Sequence, residues 1–128
     1  MRLLLDTHSF LWFAEDDPRL SATARALIED AANEVLLSLG SVWEIAIKVS
    51  RGKLQLDQPL LTLVQQEVRL DGMVLLAITL DHLAVVSTLP FHHRDPFDRL
   101  LVAQAQVEAV PLVSVDTALD SYGITRLW

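Results

Sequence analysis

The sequence predicts an α/β fold, three-layer α/β/α, around a central and mainly parallel sheet of four to five strands. Two features of the chain lead there. Short runs that are apolar on both faces, such as Leu3 to Leu5 and Val35 to Leu37, are too brief for helices; strands of that kind belong to sheets covered on both sides. Between them lie stretches with helical spacing, and parallel strands need such crossovers to connect. Size and composition agree: 128 residues, 52% of them hydrophobic, bury roughly two thirds of the surface of the unfolded chain. A single domain over residues 1–128 is expected, with no disorder of the highly charged kind.

The elements follow in order. Arg2 to Asp6 is an apolar run ending in an acid and reads as the first, buried strand. Ser9 to Glu15 is a short helix. After Asp17-Pro18 a second helix runs from about Ser21 to Ala32, with Ala24, Leu27, Ile28 and Ala31 on one face. Glu34 to Ser38 is the second strand. Gly40 then breaks the chain, and Ser41-Val42-Trp43-Glu44 reads as a capping box that opens a helix to about Arg51. Pro59 starts a helix that Asp71-Gly72 stops, and Met73 to Ile78 is the third strand. Asp81 to Leu89 is helical up to Pro90. Pro96 is the first residue of a helix reaching about Ala109, Pro111 to Val115 is the fourth strand, and a short helix to about Ser121 precedes a last strand near Ile124 to Leu127.

Composition removes several classes of function. There is no cysteine, so a disulfide framework, a thiolate nucleophile and a cysteine metal site are excluded. The apolar run before Asp6 is far shorter than the roughly 7–15 residues of a signal-peptide core. Met73 to Ile78, the longest apolar stretch, is a third or less of the roughly 18 residues that span a bilayer. A cytoplasmic protein with no membrane span is expected. The net charge of −7 argues against nonspecific coating of nucleic acid, which rests on surplus Lys and Arg. A mean hydropathy of +0.35 points to apolar surface beyond what one core hides, and hence to at least a dimer.

Four acids stand at strand-to-helix junctions on one edge of the predicted sheet: Asp6, Glu44, Asp98 and Asp116. Open α/β sheets bind ligands at that edge. Converging carboxylates without cysteine form a hard oxygen site suited to Mg²⁺ or Mn²⁺, and such ions support phosphodiester cleavage. Each acid also has a purely structural reading. Asp95 and Asp98 suit the start of a helix, Glu44 fits both the capping box of Ser41 and a pair with Lys48, and Asp6 and Asp116 fit caps. Local spacing leaves the two readings open.

The remaining candidates are weaker. His92-His93 is a poor metal pair because adjacent side chains rarely reach one ion, and a loop contact is the simpler reading. Trp12, Trp43 and Phe97 have the right chemistry to stack on bases, but their helical spacing among Leu and Val suits core positions. Lys48, Arg51, Lys53, Arg94 and Arg99 are candidates for a local phosphate-binding rim, part of it ordinary solvated surface. No catalytic triad, GxGxxG or GxxxxGK[ST] pattern is present.

Four segments resemble one family. They are Leu3-Leu4-Leu5-Asp6-Thr7-His8 with Leu11-Trp12; Ser41 to Lys48 with Gly52-Lys53-Leu54; His93-Arg94-Asp95-Pro96-Phe97-Asp98 continuing to Ala105; and Val113-Ser114-Val115-Asp116. The chain is similar over essentially its whole length to the PIN-domain proteins, and within them to VapC-type toxins of bacterial toxin–antitoxin pairs. The resemblance implies a Mg²⁺- or Mn²⁺-dependent endoribonuclease, dimeric and held inactive by a cognate antitoxin. It places Asp6, Glu44, Asp98 and Asp116 on the acidic motif positions as metal ligands and catalytic residues, with Thr7, Lys48 and Arg99 as candidate substrate contacts and Asp95 as a cap. An antitoxin Arg or Lys in the cation position is one route to inhibition. Ser114 departs from the Thr that many relatives carry there, and hydroxyl chemistry survives the change.

Two readings from other classes compete. A phospho-receiver-like signalling domain requires adjacent acids after the first strand and a Lys ending the last, and neither is present. A metal-free interaction module would use the acids only as caps, and an unchanged melting temperature on adding Mg²⁺ or Mn²⁺ would support it.

Overall fold

A computed structural model describes residues 1–128. The elements are β1 (Arg2–Leu5), α1 (Thr7–Ala14), α2 (Ala22–Glu29), β2 (Glu34–Ser38), α3 (Leu39–Ser50), α4 (Leu60–Leu70), β3 (Val74–Leu76), α5 (Leu80–Val86), α6 (Pro96–Glu108), β4 (Leu112–Val113), a 3₁₀ turn at Thr117–Tyr122 and β5 (Arg126–Leu127). The five strands form one sheet in the order β3-β2-β1-β4-β5. Every neighbouring pair is parallel, with Leu4 opposite both Leu36 and Leu112. The expected α/β/α class holds, with five strands.

Alternation along the strands divides the core between the two faces of the sheet. Leu3 and Leu5 face Phe10, Ile28, Ile45 and Leu63, from α1 to α4. Leu4 and Leu36 face Leu101, Val102 and Leu119, from α6 and the 3₁₀ turn. Leu3, Leu4 and Leu5 are all completely buried, as a central parallel strand requires, and each fully buried leucine stabilises the fold by roughly 1.5–3 kcal/mol.

Helix α2 stops at Glu29 rather than Ala32 because Asp30 leaves helical geometry and Asn33 Nδ2 donates to Leu27 O at 2.9 Å. Helix α3 begins earlier than expected. Its N-cap is Ser38, whose side chain accepts from Gly40 N, while Gly40 and Ser41 lie inside the helix and are buried. The reason is tertiary: a Cβ on Gly40 would stand 2.5 Å from Leu100 Cδ2, so the missing side chain lets α3 dock against α6. Gly40→Val should therefore destabilise the protein by about 1–3 kcal/mol through overpacking. In urea unfolding, the Gly40→Val/Leu100→Ala double variant should recover part of that loss.

Away from the strand ends, Glu67 on α4 is 8% exposed and its Oε2 has no hydrogen-bond partner. Burial first, and then the neighbouring Asp71 carboxyl, push its carboxyl up to about 7. A carboxyl whose folded value lies above its unfolded one adds stability below about pH 4.5, and that contribution is lost as pH rises through 7. Thermal melts of Glu67→Gln should accordingly show a gain over the parent at pH 8 that disappears at pH 5.

Candidate active site

The order of the strands fixes where chemistry can gather. From β1 the chain moves outward to β2 on one side, whereas β4 lies against β1 on the other, so the carboxyl ends of β1 and β4 border the switch point of the sheet. Asp6 follows β1 directly in extended geometry and caps α1, its Oδ1 accepting from Ser9 N at 2.8 Å. Asp116 follows β4 and caps the 3₁₀ turn, accepting from Ala118 N at 3.0 Å. Asp98 stands in the first turn of α6, and Glu44 on α3.

Glu44 is only 5% exposed, and it is held at both oxygens. Thr7 Oγ1 donates to Oε1 at 2.7 Å and the Lys48 ammonium sits on Oε2 at 2.7 Å. Thr7 Oγ1 also lies 3.0 Å from Ser41 Oγ. Asp95 acts as the cap of α6, its Oδ1 accepting from Phe97 N and Asp98 N, which leaves the Asp98 carboxyl free of helix duty.

Asp98 and Asp116 converge with His93, their ligand atoms all within 4.8 Å of one another. His93 Nε2 stands 3.0 Å from Asp116 Oδ2 and 3.4 Å from Asp98 Oδ2. Its Nδ1 accepts from Asp95 N at 3.1 Å; that bond places the proton of the neutral ring on Nε2, aimed at the carboxylates. Burial raises the Asp98 carboxyl to about 7, helped by Asp95, Asp6 and Glu44 and opposed by His93. The field of three further acids at one carboxyl describes a place short of positive charge. Asp6 and Glu44 act on Asp98 through their charge, and only Asp98 and Asp116 are in the tight group with His93.

The structure changes the roles of several residues. Glu44 is not the capping-box partner of Ser41, since the cap is Ser38. Thr7 is 3% exposed with its hydroxyl on Glu44, which makes it a support for that acid rather than a substrate contact. Arg99 is 6% exposed and donates to the carbonyls of Pro90, Val86 and Leu89, so it is absent from any phosphate-binding rim. Trp43 is not core but 60% exposed, edge-on to Phe97 with ring centroids 5.3 Å apart. His93 enters the acidic group where a loop contact was expected. Its signal in the sequence is slight, a histidine two residues before the Asp95-Pro96 cap of a helix whose first turn carries an acid.

The donor set is carboxylate oxygen with one imidazole nearby, a chemistry that fits a divalent cation. The sequence pattern of the PIN domain family matches residues 3–124. The chain is 32% identical over 123 residues to Ribonuclease VapC22 of Mycobacterium tuberculosis, covering 94% of this chain and 91% of that one. It is 39% identical over 71 residues to Ribonuclease VapC16 of the same organism, covering 52% of this chain and 50% of that one. Among solved structures it is similar in fold to VapBC2 from Rickettsia felis, bound to a DNA fragment from its promoter. The TM-score there is 0.74 at 12% identity, over 99% of this chain and 98% of that one. FitAcB from Neisseria gonorrhoeae gives 0.63 at 17% identity, over 98% and 96%. With a switch-point cluster of acids on a five-stranded parallel sheet, and a pattern match running nearly end to end, the chain belongs to the PIN-domain family.

Proposed function

We propose that the protein is a metal-dependent endoribonuclease, the toxin of a toxin–antitoxin pair, hydrolysing RNA phosphodiester bonds at Asp6, Glu44, Asp98 and Asp116. The observation that carries this reading is the convergence of the Asp98 and Asp116 carboxylates with His93, their ligand atoms within 4.8 Å of one another, at the carboxyl ends of the central strands, where a cation relieves the repulsion. Its full-length relative is named as a ribonuclease, and its neighbours in fold include toxin–antitoxin complexes, which supports an RNA substrate and an antitoxin partner. Hard oxygen donors favour Mg²⁺ or Mn²⁺.

The four acids would hold the cation. When bound, it supplies Lewis acidity at a phosphoryl oxygen and eases deprotonation of water. The chain's own contribution is placement and charge. Thr7 and Lys48 fix the two oxygens of Glu44, the Ser9 amide holds Asp6, and His93 orients Asp116 through Nε2. A carboxylate of the group accepts the proton of the attacking water, and the leaving sugar oxygen departs in line. Lys48 is the remaining substrate-contact candidate, half-exposed beside Glu44.

The protein acts in the cytoplasm as a homodimer on this reading. No helix is long and apolar enough to cross a membrane, and exposed apolar residues such as Leu61, Leu70, Leu80 and Phe91 offer surface for a second copy or an antitoxin. The test is cleavage of a mixed RNA pool by purified, antitoxin-free protein in Mg²⁺, Mn²⁺ or EDTA. Discrete products that require the metal are expected. Absence of cleavage together with absence of a metal-induced rise in melting temperature would overturn the reading.

A further inference from the structure

Lys48 also lines a cavity of about 290 Å³, walled with it by His8, Trp12, Glu15, Arg19 and Lys53. We propose that it is a nucleotide subsite, receiving one nucleotide of single-stranded RNA adjacent to the bond that is cut. This inference rests on the ribonuclease reading and deepens it.

Charge is the first support. The chain carries −7 overall, yet this wall sets Arg19, Lys48 and Lys53 against a single lining acid, Glu15. The cations are also arranged rather than scattered. Asp17 holds Nε and Nη2 of Arg19 with bonds of 2.8–3.2 Å, so the guanidinium lies over the Trp12 ring at 5.1 Å with Nη1 unengaged by any protein group. That is a fixed planar donor, the form that suits phosphate and base edges. Lys53 follows the left-handed Gly52 at the end of α3, its backbone N–H on Lys48 O, and its ammonium makes no ion pair.

Flat groups are the second support. His8, exposed on α1, lies 5.6 Å from Trp12 at a tilt of 38°. Imidazole, indole and guanidinium planes in one wall form the kind of platform on which unpaired bases stack. The volume is near the lower bound of roughly 300 Å³ for small-molecule pockets, which matches one nucleotide rather than a duplex. Lys48 supplies the third support because it belongs to both places: it lines the cavity while its Nζ sits 2.7 Å from Glu44 Oε2. A phosphate held there is next to the acidic group. An acidic protein segment would use the cations equally well, but the flat groups of His8 and Trp12 and the shared wall at Lys48 favour a nucleotide.

The experiment measures binding of a short, random-sequence, fluorescent single-stranded RNA in EDTA, at several salt concentrations, with cleavage assayed in parallel. Lys53→Glu should weaken binding about tenfold, and Lys53→Ala should lower the slope of log affinity against log salt by about 0.7, one phosphate contact on a single strand. His8→Ala should cost about fivefold or more, the loss of one stacked base. Arg69→Glu, the same charge reversal on α4, should change affinity less than twofold. All four variants should keep the parent's Mn²⁺-induced rise in melting temperature, which separates the subsite from the acidic site. If the parent cleaves RNA and Lys53→Glu and His8→Ala bind and cleave as it does, the subsite falls while the ribonuclease reading stands. Loss of antitoxin binding alone in those variants would overturn it in favour of a protein-docking pocket. A parent that neither binds nor cleaves RNA overturns both.

Discussion

Asp98→Asn is expected to fold and yet to cleave RNA more than about a hundredfold more slowly than the parent, because even groups one shell outside a metal cost about 10–100-fold when removed. Asparagine keeps the size of the side chain, and the cap of α6 is supplied by Asp95, so the helix start is preserved. The variant should also melt higher than the parent in EDTA at pH 8. A carboxyl held up to about 7 by burial and nearby acids destabilises the fold once pH rises through that value, and the amide removes the charge. Gain of stability with loss of cleavage is the signature of a functional acid, opposite to that of a structural one. The metal-induced rise in melting temperature should shrink in parallel. Asp6→Asn should lose cleavage in the same way while keeping its cap on Ser9, since an asparagine oxygen accepts that bond too. A folded Asp98→Asn that cuts RNA at the parent's rate would sink the assignment.

The second large effect concerns a residue far less exposed than its charge suggests. Arg99→Met should cost about 2–3 kcal/mol. It removes the guanidinium bonds to Pro90, Val86 and Leu89 and leaves Leu89 O with no donor, while Pro90 O keeps the Tyr122 hydroxyl and Val86 O the Leu89 amide; a buried unsatisfied group costs about 1–3 kcal/mol. For a chain of this length that loss lowers the melting temperature by about 10 °C. The damage should then reach the site indirectly. Tyr122 lies 3.4 Å from Arg99 Nη1, donates its hydroxyl to Pro90 O and accepts from His93 N; loosening this knot frees the segment that carries His93. Scanning calorimetry of Arg99→Met beside Arg94→Met, an exposed neighbour, separates the two arginines; equal melting temperatures would contradict the account.

The contrast between those arginines shows where the sequence was readable. Burial of the Leu3–Leu5 strand follows from composition alone, because a two-sided apolar run has one place to go. The start of α6 follows from Asp95-Pro96, a local cap with a local cause. The start of α3 does not, since Ser38 and Ser41 both suit a cap and the choice is made by Leu100 packing on Gly40, a contact between distant parts of the chain. Arg99 looked like surface because its partners are carbonyls, which leave no mark in a side-chain pattern. The four acids were legible as a set of junction residues, but the reach of His93 to Asp116 depends on how the segment before α6 folds across the end of β4. Strand order, which sets those ends side by side, has no local signal either.

That strand order also governs when, during synthesis, the acidic site can first assemble. β1 is synthesised early yet lies at the centre of the sheet, and its partner Leu112 leaves the ribosome long after Leu4 does. The acids are divided in the same way, Asp6 near the start and Asp116 beyond β4. No nascent chain shorter than about that point holds the complete group, so the site cannot assemble piecemeal: its first acid waits, without its partners, until nearly the whole chain has been made.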